Sequence, residues 1–497
     1  MSTEQTPLTP QAQQLLQQAA LFLRQQQAYL VGGSVRNLLL GVSGSDWDIA
    51  TDGDVPLLAR GLANALDGYY AHLHDRASRI TIRRGQQESI IDLSPLHEND
   101  ISADLRERDF TINALAIPLQ DAVRNLGTES IFPLIDPLHG EADIQARRLR
   151  AVDERIFQRD PLRMLRAIRF MQRYQLTIEP TTAHMLTHDA DQLLRVAPER
   201  IHDELYAILR PNGATTYLHA LDNYGLLTVL ISELIPARGM RQPELHFWDV
   251  FEHSLQSVAA LERLSTLLQD PTQAGTMPGA ADLSELHTLL NEAEQQSLFH
   301  WSELSAPPLK LAALLHDIGK PVTYARDDEG HITFYHHPQA GVPLAQQIMQ
   351  RIAASTADRR LVSQVVAHHM RPGQLSHTDI TTRAVRRYFV DLGPVGILVA
   401  LVSLADHLAM RGPAPLTEPW SRHLATVRLL LTRYIRERTT ILPPRLVQAE
   451  ELIRHFELTP GPLIGQLLDQ LAEAQAEGRV RSKADALWLA EEFLKHH

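Results

Sequence analysis

The stretch LVGGSVRNLLLG (30–41), followed after a short loop by DWDIAT (46–51), decides how the N-terminal part of the chain is read. Asp46 and Asp48 alternate with Trp47. On a strand, residues i and i+2 share a face, so the two carboxylates converge. Paired hard oxygen ligands suit Mg²⁺, which keeps waters and also binds substrate phosphates. Gly32 and Gly33 let a phosphate approach the backbone, and a helix starting near Ser34 would point its first N–H groups at it. An Asp-x-Asp alone is most often two solvated turn acids. Strand, Gly-Gly, helix and Asp-x-Asp in immediate succession form a far more specific arrangement. Asp92, within Ile90-Ile91-Asp92-Leu93, offers a third carboxylate on an apolar strand. It reads equally as a metal ligand or as a solvated strand-end acid, since burial without a partner is costly. Three carboxylates around two metals suit in-line attack of a hydroxyl on an α-phosphate.

Outward from this stretch, residues 29–150 alternate β-rich runs with Gly/Asp turns, the runs being Ala28–Val31, Ser89–Leu93 and Ile112–Ile117. Residues 1–27 read as a short polar helix. From about residue 155 onward, apolar residues recur at helical spacing. Residues 268–308, rich in Pro, Gly, Ala and acids, read as an inserted loop. A second break falls at Gly412–Pro419, and Pro460-Gly461-Pro462 interrupts a final helical region. The expected class is α+β. A small mixed α/β head (28–150) precedes an all-α neck (151–225), a helical body (226–412) and a helical tail (413–497).

The chain has 497 residues, enough for about three domains. Lys and Arg number 47 against 59 Asp and Glu, a net charge of −12. That argues against a uniformly basic nucleic-acid coat but not against a local patch. Nine arginines lie between Arg147 and Arg173 against three acids, Asp153, Glu154 and Asp160. Lysine occurs only at 310, 320, 483 and 495, a bias ascribed mainly to base composition. Cysteine is absent, which excludes disulfides, thiolate zinc sites and cysteine nucleophiles. The first 30 residues lack the basic and apolar regions of a signal peptide. The apolar run Val395–Ala405 is too short to span a bilayer. A soluble, cytoplasmic protein without a membrane partner is expected.

The head segment resembles the class II tRNA nucleotidyltransferase and bacterial poly(A) polymerase family, and further motifs follow in the family's order. RDFTINALAI (108–117) resembles the second motif, in which Arg108 and Asp109 would hold ribose and phosphates. DPLHG (136–140) resembles the hinge between head and neck, DPLRMLRAIRF (160–170) the nucleotide-selecting helix, and RIHDEL (200–205) a neck helix. By this resemblance Asp160 and Arg163 read the base, and Arg166 and Arg169 lie toward the triphosphate. In physical terms, an acceptor at 160 and a donor fork at 163 match the hydrogen-bonding edge of a base. Three residues depart from the family pattern. Asn37 stands where Asp is usual, Glu107 where the second motif has Arg, and Arg159 where the selecting helix has Glu.

A second constellation lies in the body. His253 falls in VFEHSL (250–255), His316-Asp317 in LAALLHDIGKP (311–321), and Asp406 at the end of LVSLAD (401–406). A lone histidine on an apolar face is usually a satisfied core residue, whereas this set resembles the HD phosphohydrolase superfamily. The resemblance makes His253, His316, Asp317 and Asp406 metal ligands. His337 (YHHPQAG, 335–341) and His369 (AHHMRP, 367–372) match ligands of a second metal, with His336 and His368 as neighbours one register away. Imidazoles with carboxylates suit Mn²⁺, Fe²⁺, Co²⁺, Ni²⁺ or Mg²⁺. Lys320 is placed to touch a substrate phosphate. The tail, with Gly461 and Gly465 around a helix start, resembles the family's acceptor-arm holder, or is a packing element.

The resemblance implies a template-independent RNA nucleotidyltransferase that adds CCA, or part of it, to tRNA 3′ ends from CTP and ATP. Asp46, Asp48 and Asp92 would serve catalysis with Mg²⁺, and Gly32, Gly33, Arg36 and Arg108 would hold the triphosphate and ribose. Two alternatives stand beside it. One is A-only or poly(A) addition. The other is a metal phosphohydrolase whose head only binds RNA.

Overall fold

The computed structural model describes residues 9–495 except 43, 74–76, 126–132, 378–379 and 415. Two compact units are formed, one from residues up to Val196 with Asn223–Val229, the other from Ala197–Asp222 with the chain from Leu230 onward. The expected neck is thus divided between them.

The first unit contains a six-stranded sheet built from β1 (Ala28–Val31), β2 (Asp46–Thr51), β3 (Tyr69–His72), β4 (Ser78–Arg84), β5 (Gln87–Pro95) and β6 (Ala116–Pro118), in the order β3-β4-β5-β2-β1-β6. β2 and β5 are parallel neighbours, with Asp48 opposite Asp92 and Asp46 opposite Ile90. The other ladders are antiparallel. Along β2 the pattern alternates as expected, with Trp47 and Ile49 buried beneath the sheet face that carries Asp46 and Asp48. The expected N-terminal helix spans Pro10–Phe22, with residues 1–8 outside the described residues.

The run Ile112–Ile117, expected as one strand, is split. Thr111–Asn113 form a 3₁₀ turn, and only Ala116–Pro118 join the sheet. Every residue of Ile112–Ile117 is buried, so hydrophobicity could not separate turn from strand. The deciding contacts are polar: Ala114 N–H reaches Thr111 O at 3.0 Å, and the Asn113 side chain is drawn to Asp109.

In the second unit, the expected loop 268–308 holds a helix, Ala280–Gln295, between 3₁₀ turns at Pro271–Ala274 and Trp301–Ser305. Leu283, Leu286, Leu290 and Ala293 recur at helical spacing and are buried. The acids that made the segment look like a linker are paired. Asp282 and Glu285 meet Arg428, and Glu292 meets Arg436, on the helix Glu418–Arg436. The apolar run at 395–405 forms the inner part of a buried helix, Val395–Met410. The last three helices, Ala449–Phe456, Pro462–Ala476 and Lys483–Leu494, share a core that includes Leu452, Leu467 and Ala490. No single helix among the described residues is long and apolar enough to cross a membrane.

A fully buried lysine braces this unit. Lys310 Nζ lies 2.6 Å from Glu262 Oε1 and 2.9 Å from the carbonyl of Pro211. Glu262 also accepts the N–H groups of Gly213 and Ala214 at 2.9 and 3.2 Å. Glu262→Ala strands the ammonium and should destabilise the unit by about 3–5 kcal/mol. Lys310→Met should cost clearly less, because Glu262 keeps its two backbone donors. Denaturant midpoints of the two variants check the order.

Candidate functional site

Within the first unit, β1 runs into Gly32, whose φ of +60° is readily available only to glycine, and the helix Gly33–Leu39 begins at once. Ser34 ties this helix to β2: its Oγ accepts the Asp48 N–H at 2.7 Å and donates to the Asp46 carbonyl at 3.4 Å. The two acids therefore stand beside the Gly-Gly turn. Arg108 covers the turn, since a Cβ at Gly32 would lie 2.6 Å from Arg108 Nη1. The rest of that guanidinium forks Asp104 Oδ2 at 2.9 and 3.1 Å.

Burial raises the pKa of Asp48, opposed by Arg108 and reinforced by Asp92. Among the described residues its carboxylate makes no ion pair. A half-buried carboxylate of this kind, beside a second one and a phosphate-sized turn, suits a hard divalent cation. Asp92 neighbours Asp48 in the sheet, but both its oxygens are gripped by Arg79 across the β4–β5 ladder, at 2.9 and 2.8 Å. It is neither a solvated strand-end acid nor an unpartnered ligand, and Arg79 was not singled out from the sequence.

The helix expected to select the nucleotide spans Arg163–Tyr174. Its arginines, read as facing a nucleotide, are turned onto the second motif. Arg163 donates to the carbonyls of Glu107 and Arg108 at 3.1 and 3.3 Å. Arg166 forks Asp109 Oδ2 at 2.9 and 2.6 Å. Burial opposes charge on Asp109, yet Arg166 and Asn113 outweigh it and hold its pKa below the ordinary carboxylate value. Asp109 and Arg166 are thus engaged with each other rather than with the open turn. Arg169 stacks over Phe170, 4.8 Å from the ring centroid. Asp160 accepts the Leu162 N–H at 3.2 Å, as a capping acid would. Two of the departures from the family pattern meet each other: Arg159 Nη1 lies 2.8 Å from Glu107 Oε2. The charges expected there as Arg and Glu are present with their positions exchanged.

Arg36 is 5% exposed. It donates to the side-chain oxygens of Asn37, Asn113 and Tyr174, all neutral. Burial lowers its pKa, with Tyr174, Asp109 and Asp48 pulling the other way. A buried guanidinium held only by dipoles is a ready site for an anion.

The second unit brings the expected HD residues together. His253 comes from the helix Val250–Gln269, His316 and Asp317 from the end of Pro307–Leu315, and Asp406 from Val395–Met410. His253 Nε2 is 3.0 Å from Asp406 Oδ1 and 3.5 Å from Asp317 Oδ2, and His316 Nε2 is 3.2 Å from Asp317 Oδ2. The other oxygen of Asp317 faces His337 Nε2 at 3.2 Å and His369 Nε2 at 3.6 Å. Asp317 therefore joins two clusters, His253–His316–Asp317 and Asp317–His337–His369. His337 and His369 are buried in these clusters, whereas His336 is exposed and His368 half-buried.

Hydrogen bonding identifies the inward nitrogens. Nδ1 of His316, His337 and His369 each faces a backbone carbonyl three residues earlier, at 2.8, 2.8 and 3.0 Å. Carbonyls only accept, so Nδ1 carries a proton in each ring, and Nε2 is the nitrogen turned into the cluster. The Nε2 atoms of His337 and His369 face each other at 3.3 Å. Nε2 of His253 and of His316 turn onto the carboxylates of Asp406 and Asp317, and Asp317 Oδ2 is shared among His253, His316 and Lys320. Cations satisfy such a set, and the backbone bonds are the outer support that metal-ligating histidines use. Burial opposes charging His316, but Asp317 and Asp406 prevail and lift its pKa to about 10. The centre draws positive charge. Lys320, expected to meet a phosphate, is instead 2.5 Å from Asp317 Oδ2 and 2.6 Å from Gln242 Oε1. His246, which no motif marked, stands edge-on to His253 with centroids 5.7 Å apart, and burial with nearby Lys320 pushes its pKa down to about 4.

Gly319 holds the two clusters in register. A Cβ there would lie 2.1 Å from the His337 carbonyl and 2.6 Å from Gly341 N. Gly319→Ala must push the segments apart, and is expected to weaken Mn²⁺ binding at least tenfold in equilibrium dialysis. His336→Ala, one register away, should leave binding unchanged.

Three family models match the chain: the Poly A polymerase head domain over residues 28–150, the probable RNA and SrmB-binding site of polymerase A over 175–238, and the HD domain over 250–411. The chain is 33% identical to the A-adding tRNA nucleotidyltransferase of Deinococcus radiodurans, covering 92% of this chain and 94% of that one. It is 30% identical to the CC-adding tRNA nucleotidyltransferase of Thermus thermophilus, covering 94% and 93%. Among solved structures, the Thermotoga maritima CCA-adding enzyme complexed with tRNA aligns over 98% of this chain and 96% of that one, with a TM-score of 0.59 at 20% identity.

Proposed function

The chain belongs to the class II tRNA nucleotidyltransferase family, and from that premise we propose that it adds the terminal A, transferring AMP from ATP to the 3′ end of a tRNA that already ends in CC. Nucleotidyl transfer is the family's activity, which sets aside a head that only binds RNA. The choice of A within the broader CCA reading is supported by the relatives. The A-adding enzyme of Deinococcus radiodurans is more similar to this chain than the CC-adding ones, and a second A-adding enzyme, from Halalkalibacterium halodurans, is 35% identical over 219 residues.

The observation that carries the chemistry is the placement of Asp46 and Asp48 beside the Gly32–Gly33 turn, with Arg36 and Arg108 next to it. Asp46 and Asp48 would hold Mg²⁺, which when bound neutralises triphosphate charge and makes the attacking hydroxyl more acidic. The chain's own part is orientation. The turn admits the triphosphate to the backbone, and Arg36 and Arg108 face the charge that develops as pyrophosphate leaves. Asp160 and Arg163 present an acceptor and a donor fork to the base edge. Asp92 would join the metal ligands only after parting from Arg79. In the second unit, His253, His316, Asp317 and Asp406 would hold one divalent metal, and Asp317, His337 and His369 a second. Such metals supply the activated water of a phosphoester hydrolase.

Purified protein given tRNA ending in CC, or lacking all three terminal nucleotides, with labelled ATP or CTP separates the readings. Incorporation of AMP on the CC-ending tRNA alone is expected. CMP incorporation on the shortened tRNA would return the assignment to CCA or CC addition. Asp46→Ala should lower incorporation on the order of a thousandfold while leaving any metal-dependent phosphatase activity in place. His316→Ala should lose bound transition metal, measured by elemental analysis, without losing incorporation.

A further inference from the structure

Five side chains form a closed polar circuit between the helix Arg163–Tyr174 and the sheet side of the first unit. Arg166 forks Asp109 Oδ2. Asp109 Oδ1 accepts from Asn113 Nδ2 at 2.9 Å. Asn113 Oδ1 accepts from Arg36 Nη1. Arg36 Nη2 donates to the Tyr174 hydroxyl at 2.5 Å, and the guanidinium sits 4.2 Å from the Tyr174 ring centroid. Tyr174 lies about two turns beyond Arg166 on the same helix, so the path returns to its origin. Arg36, Asp109, Asn113 and Tyr174 are all buried. The hydroxyl passes its own proton on to Asn37 Oδ1, 3.3 Å away.

The circuit includes the cation that follows the Gly-Gly turn, and among the described residues that cation has no directly bonded carboxylate. An anion arriving at the turn competes with Asn113 and Tyr174 for the Arg36 donors. Both of those partners also govern the helix: Asn113 through Asp109 and Arg166, Tyr174 by belonging to it. The helix is thus a lever that pivots on Arg166. Tyr174 lies about 12 Å to one side of the pivot and Arg163 about 4.5 Å to the other.

We infer that Tyr174 is a positioning residue that couples triphosphate binding to base selection: its hydroxyl ties Arg36 to the helix, so a triphosphate seated at Arg36 sets the register of Asp160 and Arg163. This rests on the proposed role of that helix in reading the base. Tyr174 touches no substrate. It acts through Arg36 and through the helix.

Tyr174→Phe keeps the ring over Arg36 and removes only the hydroxyl. The ratio of kcat/KM for ATP to that for CTP should fall at least tenfold, with Tm lowered by less than about 4 °C, the range for loss of one hydrogen bond. Arg166→Lys opens the circuit at its other end while keeping the charge, and should lower the same ratio. Because a circuit opened once is already open, the double variant should lose no more than the worse single one. Equal losses for both nucleotides in Tyr174→Phe, or additive losses in the double variant, would overturn the inference, since a merely structural contact acts in that way. A lowered ratio in Arg163→Ala with an unchanged ratio in Tyr174→Phe overturns this inference alone. An unchanged ratio in both overturns the base-reading role on which it rests.

Discussion

A charge taken out of water must meet an opposite charge or a sufficient set of dipoles. That constraint organises both units. In the first, Asp109 is buried and answered by Arg166, while Arg36 is buried and answered, among the described residues, by the neutral side chains of Asn37, Asn113 and Tyr174. In the second, Lys310 is answered by Glu262, whereas Asp317 is surrounded by Lys320 and by the inward nitrogens of several histidines. Where the answer is complete, as at Lys310, the result is a brace. Where it is made of neutral dipoles, as at Arg36, or of a cluster of imidazoles, as around Asp317, the result is a candidate site.

Arg159, Arg163 and Arg166 grip Glu107, the Glu107 and Arg108 carbonyls, and Asp109 in turn. The planar guanidinium suits this, because it presents five donors in fixed directions. Glu107 and Arg159, two of the departures from the family pattern, form one ion pair with its charges exchanged.

Legibility followed the range of the interaction. β1 was read at its observed bounds, and the strand at 46–51 was read too, because a period of two followed by Gly-Gly is a local signal. The helix at 280–295 was missed because its acids looked solvated, and their partners Arg428 and Arg436 lie some 140 residues away in the chain. Tyr174, Asn113, Arg79 and His246 were missed for the same reason: each acts through a partner that no local pattern announces. The run at 112–117 failed differently, being equally buried whether turn or strand.

By itself the sequence determined the chemistry available: two acids on one strand face after a Gly-Gly turn, an arginine-rich helix, and a His-Asp pair with distant His and Asp partners. Those features depend on period and residue type, which the chain states directly. The tertiary structure alone decided which groups engage which. It paired Asp92 with Arg79, Lys320 with Asp317, and Arg166 with Asp109. It buried His337 and His369 and anchored each Nδ1 to a carbonyl. Engagement of a hydrogen-bonding atom depends on every neighbour within about 3 Å, and those neighbours are assembled only when the chain is folded.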